Sequence, residues 1–457
     1  MADPFYEKLY HNFPVFLQNI AVSVYGLKLR RQRYNKQFHS YLKDLCKTEW
    51  QSSEEIEAYQ NDQVNALIKH AYNTVPFYKN LYDSHGINIS QIQNLDDLNQ
   101  LPIITKNEVK KAGAQLVSDE FQIKKLIKTK TSGTTGLPLT VYQTNESISR
   151  QWAFFWRSRT RFGLSINDSQ LMFGARIPVS QKQHDPPYWR HDYFNNRVYL
   201  STSHISKKTL KPIVDYLNSN RFVFYAGYPS AMYSLAKFIN DFGIEVKKKP
   251  EVIAFGSDSV LPGQKKLIAK IFGAKIIEFY GMVEFAGTMS MCEHGRFHTD
   301  HEHCFIDTME TNEPGSSKLI LTGWGNKAMP FIRYDIGDYA ALSRDKCLCG
   351  RHTNSFLSID GRIEDYITTP DGRKLRGFNQ VFKNAKNILE LQMIQEKIEE
   401  VTIRIVPDHN FIESDRVHLI KEFRKRAGHQ LAVNFDIVEA IPRLKNGKFK
   451  AVISNVK

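Results

Sequence analysis

The sequence predicts an α/β protein, with a large N-terminal domain built on mostly parallel sheets and a small, mobile α+β domain after it. Two observations carry this. From Leu126 to about Arg362, short apolar runs that stop at a glycine or a turn alternate with stretches long enough to form crossover helices. Beyond that point the polar, glycine-led Gly361-Arg362-Ile363-Glu364-Asp365 opens a segment of mixed helix and strand patterns, as a small domain on a hinge would. At 457 residues the chain is too long for one ordinary core. Its divisions are expected at 1–125, 126–361 and 362–457.

Residues 1–125 read as mostly helical, with Ile56 to Tyr72 and Ile92 to Leu101 as examples. Near the start, Phe13, Phe16, Leu17, Ile20, Val24 and Leu27 recur at helical spacing, and Lys28, Arg30, Arg31 and Arg33 follow. Such a helix packs on its own domain or lies on an anionic membrane surface. Pro102 to Lys106 punctuates the entry to the next region. Leu126-Ile127-Lys128 and Leu139-Thr140-Val141-Tyr142 then flank a small-residue stretch as two strands flank a loop. Further strands are expected at Leu171 to Gly174, Phe222 to Gly227, Val252 to Gly256 and Lys275 to Gly281, with crossover helices at Ser230 to Phe242 and Pro262 to Phe272. Ligands of such sheets bind outside the carboxyl ends of the strands, where these glycines fall. In the last segment Gln380 to Leu391 reads as helix, Val401 to Val406 as strand and Arg416 to Arg426 as helix.

The composition is globular, with 42% hydrophobic and 12% aromatic residues. Five cysteines are too few for a disulfide framework in so long a chain and suit a reducing compartment. No apolar run reaches the roughly 18 residues that span a bilayer, and no secretory signal is evident. A cytoplasmic protein is expected, with peripheral contact at the inner membrane face left open. The net charge of +14 favours polyanions in general. No zinc-finger, helix-turn-helix or RNA-recognition signature accompanies it, so no specific nucleic-acid partner is expected. A homodimer is left open.

The most informative stretch is Thr131-Ser132-Gly133-Thr134-Thr135-Gly136-Leu137-Pro138. Its low bulk lets the backbone approach an anion, and its hydroxyls and N–H groups can wrap phosphate oxygens. It is not a Walker A loop, since no Gly-Lys-Ser/Thr follows. Four motifs come after it: Tyr280-Gly281-Met282-Val283-Glu284, Arg333-Tyr334-Asp335-Ile336-Gly337-Asp338, Gly361-Arg362 and Pro442-Arg443-Leu444-Lys445-Asn446-Gly447-Lys448. In that order they resemble the adenylate-forming superfamily of acyl-CoA synthetases, peptide-synthetase adenylation domains and luciferases. The nearest branch is similar to phenylacetate–CoA ligase-like and CapK-like proteins of capsule biosynthesis.

The resemblance implies ATP-dependent activation of a carboxylic acid as an acyl-adenylate, then transfer to a thiol, usually coenzyme A. It implies that Thr131, Ser132, Gly133, Thr134, Thr135 and Gly136 hold the ATP phosphates. Gly256, Ser257, Asp258, Tyr280 and Gly281 would bracket the adenine. Glu284 would help hold Mg2+, Asp338 would accept the ribose hydroxyls, and Arg362 would support the ribose or phosphate. Glu364 would lie at the hinge, and Lys448 would bridge the substrate carboxylate and the α-phosphate. Two positions depart from the pattern. Val283 stands where Ser or Thr is usual, and Ile336 where Thr is common. Three alternatives stay open: transfer to a carrier protein or an amine in cell-surface polysaccharide biosynthesis, a non-catalytic nucleotide-binding relative, and a nucleic-acid binder resting on charge alone.

Cys347 and Cys349 are spaced like a chelating knuckle, and Cys292 and His298 lie roughly 50 residues upstream, across strands expected to pair back. A structural Zn2+ on three cysteines and a histidine is expected, with His294, His301, His303 and Cys304 competing for the fourth place. Tyr225, Gly227, Tyr228, Phe255 and Met282 are expected to line the acid's pocket, whose aromatic walls suit an aromatic or apolar acid.

Overall fold

The computed structural model describes residues 9–131, 139–174, 178–256, 260, 262–311, 315–362, 367–372, 374–375, 378, 381, 385–442 and 451–456. The chain begins with helices α1 (Val15–Arg33), α2 (Lys36–Thr48), α3 (Ser53–Thr74) and α4 (Pro76–Ser84). Ser52 and Glu55 cap α3 reciprocally, which satisfies two of its orphan N–H groups and fixes where it starts. Strand β1 (Ile104–Thr105) and helix α5 (Lys106–Ala112) follow, then β2 (Ile127–Lys130), β3 (Thr140–Gln143) and α6 (Asn145–Thr160). The α/β run comprises β4 (Gln170–Phe173), β5 (Trp189–Asp192), β6 (Arg197–Leu200), α7 (Leu210–Ser219), β7 (Phe224–Gly227), α8 (Pro229–Asp241), β8 (Val252–Phe255), α9 (Pro262–Phe272) and β9 (Lys275–Gly281). Next come β10 (Thr288–Met291), β11 (Phe297–Thr299), β12 (Cys304–Met309), β13 (Ser317–Gly323), β14 (Phe331–Leu342) and β15 (Ser355–Arg362). The last segment holds β16 (Ile367–Thr368), β17 (Lys374–Leu375), β18 (Ile388–Lys397), β19 (Glu400–Pro407), α10 (Glu413–Ala427), β20 (Ala432–Ile437) and β21 (Val452–Ser454).

The chain forms two compact units. The first comprises Met1–Gly26, Asn167–Ile277 and Ile363–Lys457, the second Leu27–Ile166 and Glu278–Arg362.

In the first unit β4 lies parallel to both β6 and β7, and β7 parallel to β8, while β5 runs antiparallel to β6. Helices α7, α8 and α9 make the crossovers and bury Ile213, Leu217, Leu235 and Ile268 with Leu171, Phe173 and Ile253 of the strands. This is the expected parallel arrangement. The C-terminal segment has its own four-stranded sheet in the order β20-β19-β18-β21. Its core is built from Met393, Ile403, Leu419 and Phe423.

The second unit is antiparallel from β10 to β15, with β1 alongside β14 as a parallel partner. Its core joins Leu67, Ile68 and Tyr78 of the helices to Leu319, Leu321, Phe331 and Tyr334. The pair β2–β3 closes the ends of the hydroxyl-rich loop, as expected.

Two local expectations are corrected. Ile388 to Leu391 is the start of strand β18, not helix, because its backbone pairs with β19 while Ile388 and Leu391 enter the core of that sheet. A short apolar run cannot separate the two by pattern alone. Within Ile92 to Leu101 the chain forms a short 3-10 turn, Asp96–Gln100, rather than an α-helix. Asn94 accepts from the Asp96 N–H at 2.9 Å and Asp97 from the Gln93 N–H at 2.9 Å, which gives the backbone an alternative to helical bonding. No described helix is long and apolar enough to cross a membrane.

Candidate functional site: a tyrosine–aspartate pair and a thiol–imidazole cluster

In the second unit, three motif residues far apart in sequence meet. Tyr280 lies at the end of β9, and its hydroxyl donates to Asp338 Oδ2 at 2.7 Å. Asp338 lies on β14 directly across from Arg362 on β15, so sheet register alone sets that pairing. The other acid of the motif, Asp335, accepts from the Gly337 N–H at 2.9 Å and pairs with Lys318 Nζ at 2.5 Å. It shapes the turn, which leaves Asp338 as the carboxylate on the tyrosine.

Glu284 follows the same strand end and is 1% exposed. Its turn is fixed from two sides. Gln151 of α6 donates to the Met282 carbonyl at 3.2 Å, and Phe285, in a left-handed conformation, stacks on His303 with ring centroids 3.8 Å apart. A buried carboxylate is a hard oxygen donor suited to Mg2+, an ion that keeps several waters and takes few protein ligands. Gln151 and His303 were missed as supports of this turn. Their contacts span more than a hundred and about twenty residues, and no local pattern marks them.

Both departures from the family pattern are packing positions. Ile336 is a core residue of the second unit, and Val283 packs against that core.

Thr131 is buried and accepts the Leu139 N–H on its hydroxyl at 3.0 Å, while its own N–H bonds Leu139 O at 2.9 Å. It pinches the loop shut at its base. Ser132, Gly133, Thr134, Thr135 and Gly136 lie outside the described residues, as do Ser257, Asp258, Glu364 and Lys448.

In the first unit, Gly227 and Gly256 sit at the carboxyl ends of the neighbouring parallel strands β7 and β8, joined by a Gly256 N–H to Gly227 O bond of 3.2 Å. Gly227 has φ +130°, and a Cβ there would drive into the Phe173 carbonyl oxygen. Tyr228 donates its N–H to the same carbonyl at 2.8 Å. Tyr225 is buried among Phe173, Phe222 and Phe272, and burial pushes its phenol well above the usual range. Phe255 belongs to the same core, whereas Met282 packs on the core of the second unit.

The cysteine cluster is complete. The ligand atoms of Cys292, His298, Cys347 and Cys349 all lie within 4.8 Å of one another. Cys292 directly follows β10 and His298 lies on β11, in one hairpin. Cys347 and Cys349 come from the β14–β15 connection, and the β11–β15 pairing of His298 with Ser355 brings the two together. Sulfur atoms of Cys292 and Cys347 are 3.7 Å apart, and Cys349 Sγ is 3.3 Å from His298 Nε2. The other ring nitrogen, Nδ1, is 3.3 Å from Thr353 Oγ1, which orients the imidazole. Burial, aided by the Arg161 and Arg351 charges, pushes His298 down to about 4, so the ring is neutral and free to ligate. Burial raises Cys349, but the hydrogen bonds and charge of Arg351 outweigh it and hold that thiol below its ordinary value. The four competing residues lie outside this cluster: His301 bonds Gln51 at 3.0 Å, His303 stacks on Phe285, Cys304 contacts the Thr288 carbonyl, and His294 is not among the clustered atoms. Three sulfurs and one nitrogen fit the donor set of a closed, structural zinc site.

Parallel strands with glycines at their carboxyl ends are the usual setting of a ligand site in an α/β fold. Comparisons with known proteins agree. The CapK C-terminal domain family matches residues 367–455. Protein CapK of Staphylococcus aureus is 23% identical over 98% of this chain and 99% of its own length. The phenylacetate-coenzyme A ligase of Escherichia coli (strain K12) is 31% identical over 69% of this chain and 73% of its own. Among solved structures, a 2-hydroxyisobutyryl-CoA ligase in the postadenylation state superposes with a TM-score of 0.68 at 16% identity, over 89% of this chain and 91% of that one. The chain belongs to the adenylate-forming superfamily, in its phenylacetate–CoA ligase-like and CapK-like branch. It is an AMP-forming ligase, an enzyme that activates a carboxylic acid as an adenylate.

Proposed function

We propose that this enzyme joins an aromatic or apolar carboxylic acid to AMP at the expense of ATP and then passes the acyl group to the thiol of coenzyme A. The observation that carries the reading is the Tyr280–Asp338 hydrogen bond of 2.7 Å, with Arg362 opposite in register. The tyrosine ring offers a face to adenine, and the carboxylate offers two acceptor oxygens to a ribose diol. Glu284 would hold Mg2+, which when bound neutralises charge on the phosphates. Thr131 to Gly136 would cradle those phosphates, and Gly256, Ser257 and Asp258 would flank the base. A substrate carboxylate oxygen then bonds to the α-phosphorus as the bond to pyrophosphate breaks. Like-charge repulsion opposes this approach, and Lys448, delivered by a small mobile domain hinged near Glu364, would bridge the two anions. In the second step a thiolate attacks the acyl carbon and AMP leaves. Tyr228 and Met282 would face the acid, while Tyr225 and Phe255 would support that wall from the core.

The domain divisions at 125/126 and 361/362 belong to this proposal, as does a structural zinc on Cys292, His298, Cys347 and Cys349. The relatives named phenylacetate-coenzyme A ligase put arylacetic acids first in a substrate panel. Pyrophosphate release dependent on one such acid, with a thioester formed on adding coenzyme A, is the expected result. Release dependent on no acid would overturn the reading. A second reading, transfer to a carrier protein or an amine in cell-surface polysaccharide biosynthesis, draws on the end-to-end similarity to CapK. Acid-dependent release with no thioester would favour it.

A further inference from the structure

Helix α1 is inside out. Gln18, Asn19, Ser23 and Gly26 are its buried residues. Phe16 is 63% exposed, Val24 59%, Ile20 51% and Tyr25 51%. The cause lies in β5, the edge strand of its sheet. An edge strand presents N–H and C=O groups without ladder partners, and these need cover. Asn19 Oδ1 accepts the His191 N–H at 3.0 Å, and Ser23 Oγ accepts the Tyr193 N–H at 3.0 Å. Gln18 Oε1 accepts from Arg190 Nε at 2.6 Å. Gly26 lets the helix approach so closely that a Cβ would strike the Asp192 carboxylate. The polar side of α1 is therefore spent on the edge strand, and its apolar side faces outward.

Phe16, Leu17, Ile20 and Val24 follow one helix face, and Phe13, just before the helix, is exposed as well. The turn bonded to Ser23 adds Tyr193 and Phe194, 64% and 53% exposed. So many exposed apolar and aromatic residues on one helix and the turn bonded to it mark an interaction site. Charge says with what. Between Glu7 and Asp44 the chain has no acidic residue, yet it carries Lys8, Lys28, Arg30, Arg31, Arg33, Lys36 and Lys43. Lys28 and Arg31 are exposed. A second copy docking on this face would set a basic, acid-free segment against itself. An anionic lipid surface accepts both features, taking the apolar face at the acyl boundary and the cations at the headgroups.

We infer that α1, with the Tyr193–Phe194 turn, is an interfacial anchor that lays this enzyme on an anionic membrane without crossing it. The test is co-sedimentation of the full chain with vesicles of phosphatidylglycerol and phosphatidylcholine, against phosphatidylcholine alone, at low and high salt. Binding is expected only to the anionic vesicles, and weaker at high salt. Phe16→Ser/Ile20→Ser/Val24→Ser should weaken it at least about tenfold, and Lys28→Glu/Arg31→Glu by roughly fivefold for each lysine or arginine charge removed. All five positions are on the surface, so circular dichroism and acid-dependent pyrophosphate release should stay unchanged in both variants. If the triple variant misfolds, Ile20→Cys carrying an environment-sensitive dye replaces it, and a blue shift on anionic vesicles alone is expected. Equal sedimentation with and without anionic vesicles overturns the inference. So does a concentration-dependent dimer that the triple variant abolishes while the wild type ignores vesicles.

Discussion

The Tyr280 hydroxyl holds the Asp338 carboxylate at 2.7 Å, tying the end of one strand to the middle of another. In the proposed reading the tyrosine would have two separable jobs, since the ring face and the hydroxyl do not depend on each other. Tyr280→Phe keeps the face and removes the hydroxyl's bond to the carboxylate. A hydrogen bond to a charged group is worth about 1.5–3 kcal/mol, so KM for ATP should rise roughly tenfold with kcat less affected. Tyr280→Ala should cost more, because the stacking surface goes too. Asp338→Ala should lower kcat/KM for ATP by about a hundredfold or more. Equal effects of Phe and Ala at position 280 would remove the ring from nucleotide binding.

Lys448→Ala tests whether the proposed lysine acts in adenylation rather than in nucleotide binding. A cation that neutralises charge only as the carboxylate meets the α-phosphate acts in the transition state, so its loss lowers kcat and leaves nucleotide affinity nearly intact. The expected fall in acid-dependent pyrophosphate exchange is on the order of a hundredfold to a thousandfold. Unchanged exchange with a good acid would contradict the assignment.

Much of this molecule was readable from sequence. Pro262–Phe272 and Lys275–Gly281 form with the expected bounds, because a proline starts one and a glycine ends the other. Ile388 to Leu391 was misread because its few apolar residues suit either period. The clustered Cys292, His298, Cys347 and Cys349 were legible as a candidate set, since cysteine spacing constrains a hairpin. The sequence already pointed to His298, and the β10–β11 register sets it, rather than His301 or His303, beside the three thiols. Nothing local distinguishes Asp335 from Asp338, three residues apart. Lys318 claims one and Tyr280 the other, and both partners come from distant strands.

The thiol–imidazole cluster predicts about one zinc per purified chain. Cys347→Ser/Cys349→Ser should lose the metal and lower Tm, while residual activity at low temperature persists, since four protein ligands leave no open position for chemistry. Elemental analysis and thermal unfolding read both. A metal-free protein after zinc-replete expression, with the double variant melting at the wild-type temperature, would dismiss the site.

Gly227 tests the parallel strands of the first unit. At φ +130° a side chain is strained, and its Cβ would meet the Phe173 backbone, which cannot yield as a side-chain tip can. Gly227→Ala should cost at least about 3 kcal/mol. Gly243 has φ +60° with nothing near its Cβ position, so Gly243→Ala should cost only about 1–2 kcal/mol. Urea unfolding of the two variants separates close approach from backbone conformation. Equal losses would mean that the carbonyl contact carries no weight.

Acid stability should depend on one buried network in the second unit. Arg157 of α6 donates to Glu302 Oε1 at 2.5 Å and to Asp300 Oδ1 at 2.7 Å, and Thr48 donates to the same Glu302 oxygen at 2.5 Å. Burial by itself would raise the Glu302 carboxyl. The Arg157 charge outweighs that, with help from His301 and Thr48, and holds it down at about 2. A glutamate in the unfolded chain titrates near about 4.3. The folded value is the lower one, so the stabilisation is fully present above about 4.3 and is lost as pH falls through about 2. A depression of that size corresponds to about 3 kcal/mol. Glu302→Gln should therefore unfold more readily at neutral pH, by about 3–5 kcal/mol, because half of the guanidinium's charge partners vanish. It should also lose much of the wild-type slope of stability against pH below about 4.3. Urea midpoints of both proteins across that acid range measure the difference. Parallel curves would show that Glu302 titrates alike in the folded and unfolded chain, and that Asp300 alone satisfies Arg157.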